Sequence, residues 1–150
     1  MSRPLVVGVG NPDRGDDAIG PHVAARVAAL GPPGVDVVER GEPVDLVPHL
    51  LERDHMVIVD AAAPRGRPGR LRVHVVGATA PAAGAGGAGG THGFGVAEAV
   101  ELARALGRLP ARLVLIGVEA GTLAAGEPLS AAVSGCVDEA VRATLTAAGR

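Results

Sequence analysis

The chain contains no lysine, tyrosine, tryptophan or glutamine, and only one phenylalanine, one cysteine and one asparagine. Each shortage removes a class of function. Without lysine there is no phosphate loop of the Gly-x-x-x-x-Gly-Lys type. Without stacking aromatics or a basic stripe, and at a net charge of −2, a nucleic-acid partner is not expected. A lone cysteine, Cys136, cannot build an internal disulfide framework and suits a reducing compartment. The opening apolar run is too short for a signal peptide or a membrane span, so a cytoplasmic protein with no membrane association is the expectation. Serine is scarce too: Ser2, Ser130 and Ser134 are the three present, and none lies in a Gly-x-Ser-x-Gly elbow.

What remains is aliphatic. Hydrophobic residues make up 47% of 150 residues, so the core is valine, leucine, isoleucine and alanine. That composition suits strands buried on both faces with helices packed over them. Residues 5–10 (LVVGVG), 55–63 (HMVIVDAAA) and 112–120 (RLVLIGVEA) are strongly apolar strands. Residues 35–41 and 70–76 alternate, and the second reads as an edge strand with one wet face. Between them lie helical patterns: one from residue 18 to 30, a short one at 45–53 delayed by Pro48, one at 96–107, and a long closing stripe of Leu129, Val133, Val137, Val141 and Leu145. Strands alternate with helices without a break in composition. The expected fold is one α/β domain over residues 1–150, a three-layer α/β/α sandwich on a mostly parallel sheet with one antiparallel edge strand. Its small size and aromatic-poor surface favour a monomer. The glycine- and alanine-rich stretch 77–90 has a high ordering entropy and reads as a mobile segment.

The stretch GVGNPDRGDDAIGPHV at 8–23 begins as a dinucleotide-binding turn would. The third glycine of that fingerprint is due at position 13, where Asp13 stands instead, facing where a pyrophosphate would sit. The turn then presents Asp16 and Asp17. In parallel α/β sheets, sites collect at the carboxyl ends of strands. Asn11 and Asp17 follow the first strand, Asp60 ends the third and Glu119 the last. Asp17, Asp60 and His92 together form an oxygen, oxygen, nitrogen set suited to nickel, zinc or manganese, without selecting among them. Each also has a plainer role: either aspartate of the pair can cap the following helix, Asp60 can bond loop amides, and Asn11 can form a turn through its own side chain. Cys136 reads as a small packing residue in the final helix.

Gly8-x-Gly10-Asn11, Asp16-Asp17-x-x-Gly20-Pro21, a strand ending on Asp60, and His92-Gly-Phe-Gly95 together resemble the hydrogenase maturation proteases. IGVEA at 116–120 and LSAAV at 129–133 extend the likeness almost end to end. The resemblance implies an endopeptidase that removes a C-terminal extension from the large-subunit precursor of a nickel–iron hydrogenase. Asp17, Asp60 and His92 match the family's metal-binding positions. They would contact nickel carried by the substrate rather than a metal the enzyme keeps. Asn11, Asp16 and Glu119 are further candidates for the substrate cleft. Two departures stand out: Gly41-Glu42-Pro43 where a Gly-Thr type turn is common, and Ala120 where proline is common. The Gly-Asn-Pro turn is shared with peptidyl-tRNA hydrolases, but the tyrosine and the His-Asn-x-x-Gly stretch of that family are missing. A non-proteolytic nickel sensor or chaperone of hydrogenase assembly is the alternative.

Overall fold

The computed structural model describes residues 3–77 and 94–150. His92 and nearly all of the glycine-rich stretch therefore lie outside the described residues. Five strands form one sheet: β1 (Leu5–Val9), β2 (Asp36–Arg40), β3 (His55–Ala62), β4 (Leu71–Val76) and β5 (Arg112–Glu119). Their order is β2-β1-β3-β5-β4. The first four in that order run parallel, and β4 pairs antiparallel with β5 at the edge. The helices are α1 (Ile19–Leu30), α2 (Val47–Glu52), α3 (Val96–Ala105), α4 (Ala131–Ser134) and α5 (Val137–Ala147).

Alternation along the strands divides the core in two. Val6, Val57, Val59, Val114 and Ile116 meet Ile19, Val23 and Val27 of α1 and Val137 and Val141 of α5. Leu5, Val7, Val9, Met56, Ile58 and Leu113 meet Leu50 of α2 and Val96, Ala99 and Val100 of α3. This is the expected three-layer sandwich. α1 ends where Gly31 takes φ 59° and returns its N–H to Val27 and Ala28, a left-handed cap that suits glycine. Pro48 sits in the first turn of α2, where its missing N–H costs little, so that helix begins late as the sequence suggests.

Three local expectations are corrected. Neither Asp16 nor Asp17 caps α1. Both lie in a 3-10 turn, Gly15–Ala18, and the N-cap position of α1 is Ala18, with no side-chain bond. β3 does not stop at Asp60 but continues to Ala62, because β5 pairs with it through Ala62↔Glu119. The closing stripe is two helices: Gly135 and Cys136 interrupt it, and Cys136 stands before α5 while still packing against the core. On β4 the valine face is the wet one. Val73 and Val75 are 55% and 67% exposed, because α5 packs chiefly on β3 and β5.

Candidate active site

Two glycines set the depth at which the acidic turn lies. A Cβ on Gly8 of β1 would fall 2.1 Å from the Gly20 carbonyl oxygen, and one on Gly20 would fall 2.3 Å from the Val9 oxygen and 2.6 Å from that of Val59. Only hydrogen in both places lets the start of α1 press onto β1 and β3. Gly10, at φ 144°, makes the turn itself, and a Cβ there would meet the Asp17 carbonyl oxygen at 2.0 Å. The backbone after β1 therefore folds tightly over the carboxyl edge of the sheet, and Asp17 is carried with it.

Asp17 and Asp60 are brought together there. Each is oriented by one backbone amide. The Asn11 N–H donates to Asp17 Oδ2 at 2.8 Å, and the Ala61 N–H donates to Asp60 Oδ1 at 2.9 Å. The second oxygen of each has no hydrogen-bond donor among the described residues. Burial pushes the Asp60 carboxyl up to about 8, and the negative charge of Asp17 adds to the rise against the Ala61 amide. No arginine offsets either effect. The Asp17 carboxylate beside an Asp60 carboxyl that holds its proton at neutral pH, with a free oxygen on each, forms a place where a cation is favoured and a second anion is not. Asn11 acts as the turn former: its Oδ1 accepts the Asp13 N–H at 2.8 Å while its own N–H holds Asp17.

Asp16 and Glu119, the other carboxylates at this edge of the sheet, are buried and bonded to loop amides. Asp16 is fully buried. Its Oδ2 accepts from Gly121 N at 2.7 Å, Thr122 N at 3.0 Å and Ser130 Oγ at 2.8 Å, and its Oδ1 from Ser130 N at 2.6 Å. Burial alone would raise its pKa, but the donations from Ser130, Thr122 and Gly121 outweigh it and hold the carboxyl low. Gly15 N, Asp16 N and Gly126 N add bonds to the carbonyl oxygens of Glu127, Thr122 and Asp13. The acidic turn is thereby fastened to the loop between β5 and α4. Glu119 is turned inward likewise. Its Oε2 accepts the Arg65 N–H at 2.9 Å and that of Arg67, fixing the β3–β4 connection. Ser130 is the residue that sequence reasoning missed. It begins α4 and clasps Asp16, but at a separation of 114 residues no local pattern announces the pair.

Among the described residues, no group of three His, Cys, Asp or Glu is gathered as a metal site, and no helix is long and apolar enough to cross a membrane. A mostly parallel α/β sandwich with a paired-acid turn at the carboxyl edge of its first strand, in place of a phosphate-binding one, is the class that fold and site define. Comparison with known proteins makes this specific. The chain belongs to the hydrogenase maturation protease family, whose model matches residues 21–147. It is 28% identical over 149 residues to the hydrogenase 2 maturation protease of Escherichia coli, covering 97% of this chain and 90% of that one. Among solved structures, an endopeptidase from Escherichia coli superposes with a TM-score of 0.84 at 28% identity, over 97% of this chain and 91% of that one. A [NiFe] hydrogenase maturation protease from Thermococcus kodakarensis does so at 0.70 and 27% identity, over 99% and 91%. The protein is thus an endopeptidase of hydrogenase maturation.

Proposed function

We propose that this endopeptidase removes a C-terminal extension from the nickel-loaded large-subunit precursor of a nickel–iron hydrogenase, and that Asp17 and Asp60 grip the precursor's nickel during the cut. The observation that carries this is the acid pair. Each carboxyl is oriented by a backbone amide, each keeps an oxygen free of hydrogen bonds among the described residues, and no arginine there offsets the effect of the Asp17 charge on Asp60. A divalent ion brought by the substrate would displace the Asp60 proton, offset both carboxylate charges and fix the peptide beside it. Carboxylate oxygens accept nickel, and an imidazole adds a nitrogen donor; the sequence supplies one in His92. In this reading nickel is cargo. Cutting waits for metal because an empty precursor offers the acid pair nothing to hold.

Intact mass spectrometry of the precursor, incubated with the enzyme in nickel-loaded and nickel-free forms, tests this directly. Loss of the tail only from the loaded form is expected. Asp17→Asn and Asp60→Asn variants should each abolish that loss while keeping the wild-type circular dichroism spectrum. Equal cutting of both precursor forms would leave the protease and remove the nickel grip.

A further inference from the structure

We infer that Arg40 reads the charge of the substrate, receiving an Asp or Glu side chain of the precursor that lies within about three residues of the bond cut. This rests on the proposed function and adds a specificity residue to the same site.

Arg40 is the last residue of β2, and its carbonyl oxygen accepts the Gly10 N–H at 3.0 Å. The end of β2 is therefore tied to the start of the acidic turn. The register pairs Val9 with Arg40 and Gly8 with Val59, so Arg40, Val9 and Asp60 occupy one row across three adjacent strands. Residues of such a row share a face of the sheet. Val9 belongs to the core beneath α2 and α3, as do Met56 and Ile58, which share the parity of Asp60. Arg40 and Asp60 thus stand on the same face, two strands apart, or about 10 Å at the usual inter-strand spacing. An extended chain covers that distance in about three residues.

The guanidinium is held in place by neutral groups. Its Nη1 donates to the Glu39 carbonyl oxygen at 2.8 Å, and its Nη2 lies 3.2 Å from Nε2 of His49 on α2. A guanidinium only donates, so Nε2 accepts and the ring carries its proton on Nδ1. The His49 pKa, lowered by burial and by the charges of Arg40 and Arg53, agrees with a neutral ring. Five other arginines, Arg3, Arg26, Arg53, Arg104 and Arg108, each pair with a carboxylate. Arg40 has no such partner among the described residues, yet it is partly buried and retains N–H donors in the planar fork that fits a carboxylate. An oriented positive charge with no carboxylate in direct contact among the described residues, one strand beyond β1, complements the acid pair. A substrate segment carrying nickel at one point and an acid about 10 Å along would satisfy both at once.

The test measures cleavage of the nickel-loaded precursor by wild type, Arg40→Gln and Arg40→Glu, with melting curves for each. Wild type must cut; if it does not, the proposed function falls and this inference with it. With wild type active, Arg40→Gln should lower kcat/KM about tenfold, mainly through KM, and Arg40→Glu more. Changing the single responsible Asp or Glu of the precursor to Lys should slow wild type and restore Arg40→Glu. An active wild type with Arg40 variants that cut equally well would overturn the inference. So would a precursor with no acid in that window, or slow variants that no precursor charge reversal rescues.

Discussion

Asp16 and Asp17 are adjacent, identical and both buried, and substituting them should have opposite consequences. Asp16→Asn keeps the shape and removes the charge. Of the carboxylate's two oxygens, one accepts three donors and the other accepts Ser130 N. An amide has one oxygen, so in either flip its NH2 group faces at least one buried donor. Hydrogen bonds to a charged group are worth about 1.5–3 kcal/mol each and an unsatisfied buried donor costs about 1–3 kcal/mol, so a loss of about 2–3 kcal/mol is expected after relaxation. For a domain of this size that lowers the melting temperature by roughly 5–10 °C. Asp16→Ala strands all four donors and should cost about 4–5 kcal/mol, a large part of the stability of a typical domain. Asp17→Asn removes the charge that helps force the Asp60 carboxyl to keep its proton, and retains an oxygen for the Asn11 amide. Its unfolding midpoint should be unchanged or raised, while cleavage is lost. Thermal unfolding at neutral pH, followed by circular dichroism, measures all three variants. An Asp16→Asn protein melting within about 1 °C of wild type would refute the clasp. An Asp17→Asn protein that is clearly less stable would refute the assignment of repulsion to the pair.

Gly20→Ala should destabilise by at least about 2 kcal/mol in the same assay, because the added methyl meets two main-chain oxygens that no rotamer change can move. It should also displace Asp17 and slow cleavage. Asp36, held below the usual carboxylate range first by Arg53 and further by Arg3, favours the fold while ionised. Its contribution is present above the ordinary aspartate pKa and disappears as pH falls through the lowered one. Asp36→Asn should therefore cost less than about 1 kcal/mol at neutral pH, and the gap from wild type should close in acid or at high salt in a pH series of melts.

The strands were legible because buried parallel strands are near-continuous aliphatic runs, and β1, β3 and β5 are of that kind. The antiparallel edge was legible from the alternation of residues 70–76, but not which side would be wet. That depends on how far α5 extends across the sheet, which no residue of β4 encodes. The break at Gly135 was hidden because the apolar spacing continues through it. In the site, the approach of Asp17 to Asp60 followed from strand adjacency. The inward turn of Asp16 and Glu119 did not, since their donors lie at Gly121, Thr122 and Ser130 in one case and at Arg65 and Arg67 in the other. A run of carboxylates at strand ends says that acids gather there. Which are spent on loops is decided by parts of the chain more than 50 residues away.

The clasp also orders events in time. β5, made late, is inserted between β3 and β4, and the residue that secures Asp16 is Ser130. A chain emerging from the ribosome has its acidic turn in hand almost at once but cannot lock it until more than a hundred further residues have appeared. Such non-local closure makes folding late and slow. A fragment ending near residue 110 should show no hydrogen-exchange protection in its acidic turn. The acidic turn of residues 15–18 is thus completed only when Ser130 has been made.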